Sequence, residues 1–290
     1  MKRVVIPTVL AASAWATSFE VFGQLSLSSG LEYVTGDYGK ASSTEEWKIP
    51  LAASYRSGPW SFRLSMPLSR VEGVANVLEQ EARDSSDVGF VGDDDDDNGA
   101  GAGTGAGASG ANAIQRTQSG IGDATLSASY LLIEPNSAPA GIDVGGRLKL
   151  PVAGDSKCYL TNGELDFSVQ ANAYQTFGKL DPFVSLGWTK RGDPQRRDSN
   201  CNVATGTRVD LRNPFFLGLG LGVRFSDVTS LRAEYEYREK LRDTSDPRSE
   251  LKFLIQQRIT QNARAGAYVI VGFSDNSPDW GLGVTASYRF

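Results

Sequence analysis

From Trp280 to Phe290 the chain alternates without interruption. Trp280, Leu282, Val284, Ala286, Tyr288 and Phe290 share one face, and Gly281, Gly283, Thr285, Ser287 and Arg289 share the other. Successive side chains of an extended strand point to opposite faces, so this segment is a strand with one broad apolar face and one polar face. An apolar face this wide, opposite a face that keeps an arginine, suits a wall between lipid and a wet lumen. A soluble sandwich could end in such a strand too, so the rest of the chain has to carry the same pattern.

It does. Period-two segments recur near 25–35, 46–56, 60–68, 123–132, 142–150, 164–174, 184–188, 215–225, 231–238, 251–259 and 264–273, and the C-terminal strand makes about twelve. Leu217, Leu219, Leu221 and Val223, for example, oppose Gly218, Gly220, Gly222 and Arg224. The connections alternate as well. Those near 57–59, 135–139, 178–181, 226–229 and 261–262 are short, whereas those near 36–45, 70–119, 153–163, 191–213 and 240–249 are longer. The connection near 274–278 is a short exception. Short turns on one side and long loops on the other are the asymmetry of transmembrane barrels, with the long loops outside the cell. A sheet in lipid has to close, because an open edge leaves backbone groups unpaired. The expected fold is therefore all-β, a transmembrane antiparallel β-barrel of the outer-membrane type with about twelve strands.

The N-terminus points to export. Lys2 and Arg3 precede a short apolar stretch from Val4 to Ala16, too short for the ~20 residues that a spanning helix needs. Residues 1–23 read as a signal peptide cleaved before Gln24, with Ala14-Trp15-Ala16 as the alternative site. No later window approaches a helical span, mean hydropathy is −0.27, and 24–290 reads as a single barrel domain. Histidine is absent, which removes the usual general base and the commonest transition-metal ligand. The chain is therefore not expected to be an enzyme or to carry a cofactor. A net charge of −5 gives no footprint for nucleic acid.

The polar faces supply the candidate pore lining. Arg56, Arg63, Arg147, Lys149, Arg224, Arg232, Glu234, Glu236, Arg238, Lys252, Arg258, Arg264 and Arg289 all fall on them, together with Asp123, Asp143, Glu164 and Asp166. Such a wall either guides small solutes by its fixed field or fills the lumen with bracing ion pairs. Twelve strands at ~4.8 Å spacing and ~40° tilt give a backbone radius of roughly 12 Å, which long side chains reduce to a narrow path or to none. Gly218, Gly220 and Gly222, with Gly281 and Gly283, widen one sector, either for a flat solute or for arginines from opposite strands.

Three further features sit outside the walls or on their outer faces. Asp94, Asp96, Asn98 and Gly99 match the first half of a calcium loop, but Gly105 stands where the closing glutamate belongs. With the Gly/Ala-rich run behind it, this stretch of the 70–119 loop reads as a solvated external segment, with weak calcium binding as the lesser alternative. Cys158 and Cys201 fall in two neighbouring external loops and form a candidate disulfide in an oxidising compartment; two free thiols are the alternative. Trp47, Tyr55, Trp60, Tyr130, Trp188, Tyr237, Trp280, Tyr288 and Phe290 lie near segment ends on the apolar side, as interfacial girdles do.

Several strings carry a resemblance. The block from Phe273 through Ser-Asp-Asn-Ser-Pro-Asp to Trp280 and on to Phe290 resembles the closing segment of a family of outer-membrane β-barrel transporters, the meta-pathway of phenol degradation family. Gly30 to Gly39, Ser57-Gly-Pro-Trp60, Gly120-Ile-Gly-Asp123 and Lys149-Leu-Pro151 are similar to its opening strand and internal landmarks. The sequence departs from that pattern after Pro151, where a Thr and Gly-Thr-Gly element is usual, and in the insertion from Asp93. The resemblance implies the outer membrane of a Gram-negative bacterium and passive movement of small-molecule solutes, with hydrophobic or aromatic compounds as the suggested class. It also implies contact with outer-membrane lipid and lipopolysaccharide, and recognition of Phe290 by the barrel-assembly machinery. The competing reading is a non-conducting structural or surface-interaction barrel.

Overall fold

The computed structural model describes residues 23–39, 42–73, 116–135, 140–153, 158, 160–197 and 203–290. The elements are β1 (Gln24–Gly36), β2 (Thr44–Ser57), β3 (Trp60–Gly73), β4 (Arg116–Ile121), β5 (Ala124–Ile133), β6 (Gly141–Leu150), β7 (Asp166–Tyr174), β8 (Leu180–Lys190), β9 (Gln195–Arg197), β10 (Val203–Arg208), β11 (Phe215–Arg224), β12 (Thr229–Arg238), β13 (Arg248–Arg258), β14 (Ala263–Gly272) and β15 (Trp280–Arg289). No helix occurs among the described residues.

Each strand pairs antiparallel with its neighbours, and the sheet closes where β1 meets β15, from Ser26 opposite Arg289 to Thr35 opposite Trp280. β4 and β5 both pair with β3, end to end, and so form one stave of a twelve-strand barrel. Between them the register steps by one residue: Leu68 faces Ile121, but Ser65 faces Thr125. An extra residue of this kind bends the strand and re-aims a side chain. The approach is close, since a Cβ on Gly122 would lie 2.8 Å from Pro67 Cγ. The side chain re-aimed is that of Asp123.

The alternation seen in the sequence sets the two faces. Leu64, Leu126, Leu186, Leu219, Phe253 and Val284 stand exposed on the exterior, while the opposite faces bury polar groups such as Ser127, Gln170, Asn172, Ser185 and Thr285. An apolar exterior of this extent is incompatible with water and matches hydrocarbon. Aromatic residues band both ends of it. Tyr33 packs 4.8 Å from Trp47 and 5.5 Å from Trp280 at one end, and Trp60 packs 4.8 Å from Tyr130 and Tyr288 4.9 Å from Phe290 at the other. Tight turns close the second end. Gly58 (φ +55°) and Gly178 (φ +65°) occupy left-handed positions that other residues adopt with strain, and Phe177 bridges Leu180 around the second of these turns.

Three connections differ from the sequence expectation. β3 and β4 extend through residues 70–73 and 116–119, which were expected to be loop, because their pairing continues past the bulge. Strand β13 begins at Arg248, inside the expected 240–249 loop, since Arg248 and Glu250 continue its inward face opposite Arg238 and Glu236. The connection after β8 carries the two-stranded ribbon β9–β10. The Asp run with Asp94, Asp96 and Asn98, residues 1–22 of the signal peptide expected at 1–23, and Cys201 lie outside the described residues.

Candidate functional site

The site is the barrel interior, and its two ends differ. At the long-loop end the inward side chains form buried ion-pair clusters. Lys149 of β6 and Asp166 of β7 are in-register neighbours with Nζ and Oδ2 3.1 Å apart. Arg191, just beyond β8, reaches the same oxygen at 2.8 Å, and the Gly192 N–H donates to the other at 2.9 Å. Asp123, delivered by the bulge, stands 3.6 Å from Lys149. One carboxylate shared by two cations, with a second carboxylate beside Lys149, gives a buried charge cluster its compensation.

The connection between β6 and β7 enters this cluster. Thr161 donates its hydroxyl to Asp123 at 2.7 Å, and Lys149 donates to Asn162 Oδ1 at 2.7 Å. Both loop side chains are buried. They are held by their own backbone turn, in which the N–H groups of Gly163 and Glu164 donate to Thr161 and Asn162. The part of this connection that leads into β7 is thus folded onto the charges at the mouth.

Two other clusters complete this end. Arg238 pairs with Glu236 at 3.1 Å and Arg248 with Glu250 at 2.5 Å, both arginines being almost fully buried. Lys48 lies 3.5 Å from Glu32 and 3.8 Å from Glu46, and the Tyr268 hydroxyl donates to Glu32. A small apolar group of Val34, Tyr268, Ile270 and Leu254 packs inside the barrel beside them.

Two of the glycines expected to widen the lumen lie under aromatic rings. Tyr174, Phe183, Phe216 and Tyr268 point inward, and each lies over an in-register glycine on the next strand: Gly141, Gly220, Gly187 and Gly283. A Cβ on Gly220 would fall 2.0 Å from Phe183 Cζ, and one on Gly283 would fall 2.1 Å from Tyr268 Cζ. Gly222 faces Asp181, with 3.2 Å from its notional Cβ to that side chain, and Gly218 pairs with Ser185 and Glu236. The expectation that glycines widen the lumen is therefore corrected at Gly220 and Gly283, where rings from adjacent strands occupy the space. Several cations rest on those rings, with Arg232 5.2 Å from Phe183, Arg238 5.4 Å from Phe216 and Lys252 4.3 Å from Tyr268.

The short-turn end is hollow. A cavity of about 560 Å³ is lined by Lys179, Arg224, Arg258 and Arg264, with Asp227 as the acid among its walls and Gln256 at its inner side. Arg224 pairs with Asp181 at 3.3 Å and donates to the Gly178 carbonyl at 2.6 Å. Arg258 donates to the Asp227 carbonyl, and Arg289 to that of Gln261 at 3.4 Å.

The remaining candidates are placed as follows. Arg56 and Arg63 face inward on β2 and β3, in register with Ser61 and Ser54, and Arg63 donates to Ser54 at 3.2 Å. Arg147 is buried on β6 opposite Ser127 and Ser168, and Glu234 sits opposite Gly220 and Lys252. Asp143 accepts from Asn172 at 2.6 Å. Glu164 lies at the entrance, 3.7 Å from Arg208. Sequence reasoning passed over Glu32, Lys48, Glu46, Arg248 and Glu250, which the inward alternation marks, and Arg191, Thr161 and Asn162, which lie in connections without a period. Cys158 is buried and disulfide-bonded.

No family model and no curated protein matches the chain at the level of sequence. Solved structures do match its fold. An outer membrane channel from Pseudomonas putida F1 superposes with a TM-score of 0.64 at 14% identity, over 92% of this chain and 96% of that one. The NanC porin gives 0.52 at 9% identity, over 90% and 98% of the two chains. The KdgM porin gives 0.50 at 12% identity, over 91% and 99%.

Proposed function

We propose that this chain is an outer-membrane channel of a Gram-negative bacterium, carrying small solutes passively down their gradients. The observation that carries the reading is the pairing of an apolar exterior with a charged, partly hollow interior in one closed wall. A bracing barrel needs no cavity, and a soluble sheet needs no such exterior. The channel and porin folds that superpose on the chain support the same reading, and the likeness to the phenol-degradation family adds hydrophobic or aromatic compounds as one solute class. In this orientation the short turns and the hollow end face the periplasm, and the long loops face outward among lipopolysaccharide. Phe290 is exposed beside Tyr288, and in this reading that aromatic pair is what the barrel-assembly machinery recognises.

The packed long-loop end is the gate of this channel. Purified protein in planar lipid bilayers tests the assignment: discrete current steps are expected. Silence under all voltages, with the barrel shown to be inserted, would favour the second reading, a non-conducting structural or surface-interaction barrel. That reading draws on the buried ion pairs at the long-loop end.

A further inference from the structure

The charge inside the barrel is unevenly distributed along its axis. At the long-loop end cations and carboxylates are matched: Lys149 and Arg191 share Asp166, Arg238 meets Glu236, Arg248 meets Glu250, and Lys48 lies between Glu32 and Glu46. At the short-turn end the lining is richer in cations than in acids. The cavity there has four cationic side chains in its lining and one acidic one. Arg289, one strand beyond Arg264, adds to the same rim, because it is in register with Ser26 at the start of β1. This excess is not a reflection of the whole chain, which carries a net charge of −5.

The way these arginines are held matters as much as their number. Arg224, Arg258 and Arg289 each donate to a backbone carbonyl of a short turn, at Gly178, Asp227 and Gln261. A carbonyl accepts a hydrogen bond without cancelling the charge, so it fixes a guanidinium in place and leaves its field intact. Arg224 also has a carboxylate nearby, that of Asp181. Guanidinium groups immobilised before a ligand arrives lose less freedom on binding, and their planar forks match a carboxylate in two-point contact. The volume of about 560 Å³ falls within the range of sites for small organic ligands.

We propose that the cavity is a binding station for small organic anions, and that carboxylate-bearing solutes are the class this barrel passes. The proposal rests on the channel reading for the word passes, but the binding station stands independently of it. A solute arriving at the cavity meets fixed positive charge under a low-dielectric wall, which raises its local concentration and excludes cations. Asp181 and Asp227 are acids on the turn side of the station, where Asp181 pairs with Arg224 and the backbone carbonyl of Asp227 accepts from Arg258.

The mature protein in planar bilayers under a tenfold KCl gradient gives the first test. The expected reversal potential is that of an anion-selective pore, and succinate added on the short-turn side should reduce the current. The triple variant Arg224→Glu, Arg258→Glu, Arg264→Glu should lose both properties, and Arg→Gln at the same positions should lose the succinate effect while keeping the fold, read as the heat-sensitive mobility of the unheated barrel on gels. Current that favours cations or is indifferent to sign, unchanged in the variants, overturns the anion station and leaves the channel reading standing. If no current flows, the channel reading fails, and calorimetry of succinate with the detergent-solubilised barrel at low salt decides the station alone. Affinity at least about tenfold weaker in the Arg→Gln variant upholds the station, since each charge-assisted contact is worth that order. Absence of any binding to the unmodified protein overturns it.

Discussion

Tyr268 reaches across the bare Cα of Gly283 to donate its hydroxyl to Glu32, so that β14 and β1 are joined over the face of the intervening β15. Glu32, Gly283 and Tyr268 are successive members of one in-register row. The bond crosses the seam where the first and last strands meet, and it couples barrel closure to a side chain that only a glycine admits. Tyr268→Phe removes the donor but leaves Lys48 beside the carboxylate, and is expected to cost about 1–3 kcal/mol. Gly283→Val displaces the ring altogether and should cost more. Urea unfolding in lipid vesicles, followed by tryptophan fluorescence, checks the order; equal midpoints for the variants and the parent would refute it.

The same logic applies at Gly220. Adding a methyl there drives an atom to within 2.0 Å of Phe183, on which Arg232 rests. Gly220→Ala is expected to destabilise by about 1–3 kcal/mol through overpacking. The double variant Gly220→Ala, Phe183→Ala should be less impaired than the sum of the single ones, a coupling that a double-mutant cycle measures. Additive effects would mean that ring and glycine do not share the space.

These pairs show what was legible in the sequence. Strand number, faces and the alternation of short and long connections follow from period two, because a closed wall between lipid and water imposes the same rule on every residue in it. The inward position of Gly220 and of Phe183 was legible too, once each strand's face was fixed. Their partnership was not, since it depends on the stagger between β8 and β11, which no single strand encodes. The mouth was less legible still. Arg191, Thr161 and Asn162 sit in irregular connections, and only the three-dimensional return of the chain brings them to Asp123, Lys149 and Asp166.

Asp166 is the hub of that cluster, accepting from Lys149, Arg191 and the Gly192 backbone. Asp166→Ala removes the carboxylate that two buried cations share, and is expected to cost about 3–5 kcal/mol, the usual penalty for breaking a buried pair from one side. Lys149→Met combined with Asp166→Leu removes one charge of each sign and should recover part of the loss. Unfolding midpoints in the same vesicles give the comparison, and a single variant as stable as the parent would show that the cluster is hydrated rather than buried.

The loop tip offers the most direct test of gating. Thr161 and Asn162 hold the β6–β7 connection against the mouth through Asp123 and Lys149, while Cys158, three residues earlier, is disulfide-bonded. We propose Cys201 as the other sulfur, in the connection between β8 and β11. Such a bridge would tie two outer loops together above the charge cluster. If the tip is a plug, Thr161→Val with Asn162→Ala should release it and raise open time or conductance severalfold in planar bilayers, with the barrel fold unchanged on gels. Reduction should gain two hydrogens by mass and act in the same direction, more weakly, because the tip keeps its own hydrogen bonds. Conductance that ignores both the substitutions and the reductant would mean that the path, where one exists, does not run beneath this loop.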